Sequence, residues 1–329
     1  MATAQIMIGR DKTVKSGIRP VQGQRDMPAI VELIDIGFGE ELDPKGLKML
    51  EQMRRVAQYQ RWAQWLSPSQ PTPEGLVWVE EGRVVGNLSL RPAYPRSTGG
   101  WLIGNVVVHP EFRSHGIGRA LMDAATEKVR SHSGKWIGLE VREDNEVARR
   151  LYEDMGYQAV GRLQHMIHPA GKLWPTSLTS QQVWRASRPE DKRHWFALAK
   201  AIYRRRQREI LGIRPNIYEF GGMMRAIEMW FSGERERSWL QMAGDEARLA
   251  ARVWTDRRGR FHEWDLFIHP LAGAAGARET VAYVTYEMRR TRPWATVAII
   301  ADQASLHQAL LTVGFNTHRT LLQMQCDLL

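Results

Sequence analysis

Apolar residues recur along this chain with two periods, and the switches between them mark out its elements. Gly17–Val21 reads as a short strand, and Asp26–Phe38 as an amphipathic helix with Ile30, Leu33 and Ile34 on one stripe. Leu47–Leu66 is a second helical stretch, which Ser67–Pro73 breaks. Leu76–Glu80 and Arg83–Arg91 alternate as strands about Glu81–Gly82, the pattern of a hairpin. Trp101–Val108 is a further strand, and Gly116–Arg130 a helix with Ile117, Leu121, Ala125 and Val129 four apart. Trp136–Val141 (strand), Asn145–Met155 (helix) and Gln158–His168 (closing strand) complete the series. This order predicts a mixed sheet with helices on both faces.

Pro169–Gln182, with Gly171, Pro175 and several Ser and Thr, reads as a linker, and the chain beyond it repeats the first half. Trp184-Arg-Ala-Ser-Arg-Pro-Glu-Asp191 echoes Ile18-Arg-Pro-Val-Gln-Gly-Gln-Arg-Asp26. Ile268-His-Pro270 echoes Val108-His-Pro110 at a spacing of 160, and Val313-Gly-Phe315 echoes Met155-Gly-Tyr157 at a spacing of 158. Two landmarks at nearly one spacing indicate a tandem duplication. The expected organisation is a tail over 1–16, a domain over 17–168, a linker over 169–182 and a second domain over 183–329. The fold class is α/β in the α+β sense, two tandem domains, each a mixed, mostly antiparallel sheet flanked by helices.

Composition changes this picture little. With 329 residues, 43% of them apolar, two cores can be buried. No apolar stretch approaches bilayer length, and Met1 to Gly17 lack the apolar core of a secretion signal. Cys326 is the only cysteine, so no intrachain disulfide forms, and a cytoplasmic location without membrane attachment is expected. The net charge of +10 is uneven: residues 1–175 carry +3 and residues 176–329 carry +7. The densest basic stretch is Arg204, Arg205, Arg206 and Arg208. No DNA-reading motif or interleaved aromatic platform accompanies it, so a solvated helix face is the preferred reading and a nucleic-acid partner is not expected. No metal is expected.

The chemistry sits in Val106-Val-Val-His-Pro-Glu-Phe-Arg-Ser-His-Gly-Ile-Gly-Arg-Ala-Leu121. A strand runs into a loop with glycines at 116 and 118, where a helix starts. Glycines let the backbone turn and approach a ligand without Cβ obstruction, and consecutive amides at a helix N-terminus form a pocket for a pyrophosphate. Arg113 and Arg119 can add charge to the same anion.

This stretch resembles the GNAT superfamily of N-acetyltransferases, whose Arg/Gln-x-x-Gly-x-Gly/Ala signature reads here Arg113-Ser-His-Gly-Ile-Gly118. The resemblance continues through Asn145, Ala148, Tyr152, Gly156 and Tyr157, which match the family's Asn-x-x-Ala-x-x-x-Tyr-x-x-x-Gly-Phe/Tyr segment. It implies acetyl-CoA as acyl-donor substrate. Val106, Val107 and Val108, at the end of a splayed strand, would hold pantetheine by their backbone. Arg113, Ser114, His115, Gly116, Ile117, Gly118 and Arg119 would bind the CoA pyrophosphate, and Asn145 would contact the pantetheine arm. Tyr152 would protonate the departing thiolate; its bland alternative is a core tyrosine. Leu102, Ile103, Gly104 and Asn105 offer no acid on the fourth strand. Glu140, in a Leu-Glu-Val-Arg run similar to that of the ribosomal-protein N-terminal acetyltransferases, is the general-base candidate, with an exposed strand carboxylate as the alternative. His109 and His115 qualify as bases by side-chain chemistry only.

The second half departs from the pattern. Gly273, Gly276 and Arg278 stand at the positions of Arg113, Gly116 and Gly118, while Leu310 and Gln303 stand at those of Tyr152 and Asn145. Leucine cannot donate a proton, so this half is expected to keep the fold without the cofactor site, an arrangement resembling tandem GNAT enzymes such as mycothiol synthase. The expected function is transfer of an acetyl group directly to a primary amine of a small molecule or peptide N-terminus. A non-catalytic acyl-CoA-binding regulator and a basic nucleic-acid- or ribosome-associated module are the alternatives. The acceptor is expected near residues 38–75 and 91–100, with Trp62, Trp65 and Tyr94 as candidate lining. The +7 half suggests an acceptor that is itself anionic, with Arg204–Arg208 as a contributor.

Overall fold

The structure, a computed structural model, describes residues 15–63, 74–175, 180, 182–218, 220, 229 and 231–328. Most of the expected tail, the Ser67–Pro73 breaker and Trp65 lie outside these residues, as do the Trp62 side chain and part of the expected linker. The chain forms two compact units. One comprises Met1–Glu140, Arg150–Gln158 and Gln325–Leu329, and the other Val141–Arg149 and Ala159–Met324. No helix among the described residues is long and apolar enough to cross a membrane.

The first ten elements follow the predicted order: β1 (Gly17–Pro20), α1 (Gly23–Phe38), α2 (Pro44–Ala63), β2 (Gly75–Glu80), β3 (Arg83–Pro92), β4 (Gly100–Val108), α3 (Ile117–Ser131), β5 (Trp136–Arg142), α4 (Glu146–Asp154) and β6 (Gln158–His168). β1 to β4 form an antiparallel run, and β5 adds parallel to β4. The β2–β3 hairpin turns at Glu81 (φ 48°) and Gly82 (φ 83°), left-handed residues that match the twist of two antiparallel strands. Met27, Ile30, Ile34 and Leu50 of α1 and α2 pack with Val77 and Val79 on one face. On the other, Ile117 and Leu121 of α3 press against β3 so closely that a Cβ on Gly86 would lie 3.1 Å from Ile117.

The second unit repeats the plan with β7 (Arg185–Ala186), α5 (Lys192–Ile202), α6 (Arg205–Leu211), β8 (Glu234–Ala243), β9 (Glu246–Asp256), β10 (Phe261–Ile268), α7 (Gly273–Met288), β11 (Ala295–Ala301), α8 (Ala304–Thr312) and β12 (Asn316–Asp327). β7 to β10 are antiparallel, and β11 lies parallel to β10. The Arg–Asp echo in the sequence has a structural counterpart in each unit. Asp26 takes the Arg19 guanidinium bidentately at 2.5 and 2.7 Å and the Gln22 amide at 2.7 Å. Asp191 takes Arg185 at 2.6 and 2.7 Å and the Arg188 amide at 2.7 Å. Each pair ties the first strand to the start of the first helix, and in the buried Arg19–Asp26 pair leaving either partner alone would cost several kcal/mol, on the order of 3–5.

The pairing of β6 departs from expectation. Gln158–His168 is a strand, as predicted, but it does not simply close the first half: its Leu163–His168 pairs antiparallel with Thr296–Ala301 of β11 in the second unit. Conversely, Gln325–Leu329 belong to the first unit, where the Leu328 amide donates to the Lys135 carbonyl at 2.8 Å. Alternating pattern fixes which face of a strand is apolar but not which neighbour it pairs with. Within the expected linker, Trp174 is a core residue of the second unit, stacked on Trp264 at 4.9 Å and on His168 at 4.0 Å.

Candidate active site

β4 and β5 start as a parallel pair and then part. Their pairing covers Gly100–Ile103 against Trp136–Leu139 and ends there, while β4 runs on to Val108. β4 also slips its register with β3 between Asn87 and Ser89. The slip centres on Asn105, whose φ of 52° is left-handed, a conformation that asparagine tolerates better than most residues. A bulge leaves ladder groups without partners, and buried carbonyls need replacements. Here β3 supplies them from side chains: Asn87 Nδ2 donates to the Asn105 carbonyl at 3.1 Å, and Ser89 Oγ to the Gly104 carbonyl at 2.8 Å. Asn87 is itself buried. Val106–Val108 thus leave the bulge beyond the end of the pairing with β5.

The chain then turns at His109-Pro110, where the His109 ring accepts the Glu111 amide at 3.4 Å. Arg113 Nε returns to the Val108 carbonyl at 3.2 Å, and the His115 ring engages the Arg113 carbonyl at 2.9 Å. Ser114 (φ 66°) and Gly116 (φ 77°) are both left-handed, and Arg113 through Gly116 are exposed. α3 starts at Ile117, so the amides of Ile117, Gly118 and Arg119 lack intrahelical acceptors and point out of its N-terminus. Gly116 is required by its backbone angle. Gly118 is not required by packing, because a Cβ there would meet Leu151 at 3.7 Å and Val108 at 4.0 Å, ordinary contacts. Its bareness leaves open space beside the first-turn amides. Arg119 reaches Asp154 of α4 at 3.4 Å.

α4 begins after Asn145, whose Oδ1 accepts the Ala148 amide at 3.1 Å, an N-cap. Asn145 is therefore placed by the structure as the cap of the helix that bears Tyr152. The Tyr152 ring is buried, 5.9 Å from that of Tyr157, and burial pushes its phenol up to about 12. The phenol keeps its proton throughout the neutral range. Glu140, by contrast, is an exposed residue of β5, next to the buried Leu139.

The second unit shows the same elements without the site. His269 caps its turn through the Leu271 amide at 3.3 Å, as His109 does. β10 pairs with β9 from Phe261 to Ile268 without a slip, so it lacks the bulge. α7 begins at Gly273, four residues before the counterpart of Ile117, so the stretch aligned with the glycine loop is wound into helix. Gly276 packs tightly, with Ala272 and Leu249 within 2.9 Å of a would-be Cβ. Gln303 Nε2 donates to the Ile268 carbonyl at 3.0 Å, and Leu310 is fully buried.

Residues 42–157 match the sequence model described as the Acetyltransferase (GNAT) family. This segment is a GNAT acetyltransferase domain. The chain carrying it is accordingly an acyltransferase, and acetyl-CoA-dependent acyl transfer is general to the family. Solved structures extend the likeness in fold over nearly the whole chain. A GCN5-related N-acetyltransferase from Sphaerobacter thermophilus is 15% identical with a TM-score of 0.62, covering 96% of each chain. A tandem GNAT protein from the clavulanic acid biosynthesis pathway is 16% identical with a TM-score of 0.57, covering 95% of this chain and 98% of its own. A putative acetyltransferase from Pyrococcus horikoshii is 10% identical with a TM-score of 0.53, covering 98% and 93%.

Asn87, Ser89 and Asn105 are the residues that sequence reading missed. The available signal was a Gly104-Asn105 pair inside an apolar strand, which marks a bend, and a polar residue within the buried run of β3.

Proposed function

We propose that this protein is an acetyl-CoA-dependent N-acetyltransferase that passes the acetyl group directly to a primary amine of a small molecule or a peptide N-terminus. The observation that carries the reading is the conjunction in one unit of the bulged β4, running on past its pairing with β5, with the open Gly116–Gly118 turn at the head of α3. The Val106–Val108 backbone would pair with the pantetheine arm, and the first-turn amides with Arg113 would take the pyrophosphate. The amine attacks the thioester carbonyl, the C–S bond breaks, and the Tyr152 phenol supplies the proton that makes CoA a thiol. Glu140 receives the proton lost by the amine, directly or through water.

On this reading the second unit is kept as structure. Its lost bulge, rewound loop, Gln303 and Leu310 all argue against a second donor site. The cytoplasm is its proposed setting, and an anionic acceptor its proposed partner. Arg204–Arg208 contributes less free charge to that partner than its composition suggests, because Arg205 pairs with Glu209 at 3.0 Å. CoA release measured against peptides, polyamines, amino acids and aminoglycosides tests the proposal. Turnover with one amine class supports it; acetyl-CoA binding with no turnover on any amine contradicts it.

A further inference from the structure

The second unit carries a basic recess at the start of β10, the opposite end of that strand from its Pro270 turn. A pocket of about 1100 Å³ there has Arg237, Arg257, Arg292 and Trp294 in its wall, together with the carboxylates of Glu234, Glu236 and Glu287. A smaller recess of about 500 Å³, sharing three of its residues, is bounded by Arg257, Arg260, Arg292 and Trp294. Arg237 is engaged, lying 3.4 Å from Glu287 with its guanidinium over the Trp239 ring. The side chains of Arg257, Arg260 and Arg292 have no acidic partner among the described residues.

These three arginines stand on a fixed frame. Buried Asp256 accepts the Arg258 and Gly259 amides at 2.9 and 2.7 Å, which holds the turn bearing Arg257 and Arg260. The Arg292 carbonyl is bonded by His262 Nε2 at 3.0 Å and by the Trp294 amide at 2.8 Å. One side of the Trp294 ring stacks on the buried His262 ring at 5.5 Å. In the smaller recess three like charges stand around an indole with no carboxylate in its wall, and on a preorganised backbone they favour an anion among them.

We propose that this recess binds a small anion in which a phosphate is joined to a flat ring, the class of a nucleoside monophosphate. The ring lies against Trp294, as bases do on aromatic platforms, and the phosphate takes paired N–H donors from Arg257, Arg260 and Arg292. The site is separate from the glycine loop of the first unit and shares no residue with it.

Calorimetric titration of the full-length protein with AMP, inorganic pyrophosphate and adenosine tests this. AMP should bind, pyrophosphate should bind more weakly, and adenosine should give no heat. The double variant Arg257→Ser/Arg292→Ser should weaken AMP about tenfold or more. Both side chains are exposed, so its thermal midpoint should stay that of the parent. Trp294→Leu should lower AMP affinity to that of pyrophosphate. The proposal is overturned if AMP does not bind, if the double variant binds it as the parent does, or if AMP binding is lost through Arg113→Ser instead.

Discussion

Tyr152 is a packed residue to which the proposed function also gives a chemical role. Its ring is part of a buried aromatic pair, and the same burial keeps the hydroxyl protonated. A proton donor must hold its proton until the thiolate leaves, and a phenol raised to about 12 does so at any physiological pH. Tyr152→Phe should therefore lower kcat by roughly a hundredfold or more while the acetyl-CoA Kd stays within about twofold. Steady-state kinetics beside equilibrium titration separates the two; an unchanged kcat assigns Tyr152 to the core alone. The shift also fixes a stability sign. Above pH 10 the unfolded chain releases this proton while the folded chain holds it to about 12, so stability falls as pH rises across that interval. Glu140→Gln should remove the acidic limb of the rate–pH profile if the carboxylate is the base. An intact limb in that variant moves the base elsewhere.

At the scale of elements, β3 holds the bulge in β4 with two side chains, and on the proposed function that bulge sets where a donor lies. Asn87→Ala frees the Asn105 carbonyl, which should cost about 1–3 kcal/mol and raise KM for acetyl-CoA more than it lowers kcat. Denaturant unfolding and saturation kinetics would show this; a stable variant with unchanged KM would mean that the bulge holds itself. A second element carries a pH response. His168 ends β6 in the core of the second unit, stacked on Trp174, and burial together with the Lys172 charge lowers its pKa to about 4. Below pH 6.5 the unfolded chain takes up a proton that folded His168 refuses until about pH 4, so stability falls as pH drops through that range. His168→Phe keeps the stack and should flatten that slope in urea titrations; an equal slope would assign the loss to other groups.

The sequence was legible where local rules suffice. The hairpin at Glu81-Gly82, the stripe Ile117–Val129 and the glycines before α3 are each written in adjacent residues. The bulge was not, because Asn87 and Asn105 are 18 positions apart and their bond exists only across two strands. The partner of β6 was illegible for a related reason: one apolar face fits either unit, and pairing across chain segments decides between them.

For the whole molecule, the two units are unequal: one keeps an open glycine turn before its helix, and the other winds the corresponding residues into helix α7. On the proposed function Gly118 discriminates most sharply, because the fold tolerates a side chain there while a bound pyrophosphate would not accept a long acidic one. Gly118→Ala, which the family signature admits, should leave the thermal midpoint equal or higher, since alanine favours a helix by up to about 1 kcal/mol over glycine, and should keep acetyl-CoA binding. The most direct test is calorimetric titration of acetyl-CoA into the full-length protein and its Gly118→Glu variant. The parent should show one strong site per chain and the variant none, with both proteins folded by circular dichroism. Two equivalent sites in the parent, or undiminished binding in the variant, would contradict the unequal division of labour.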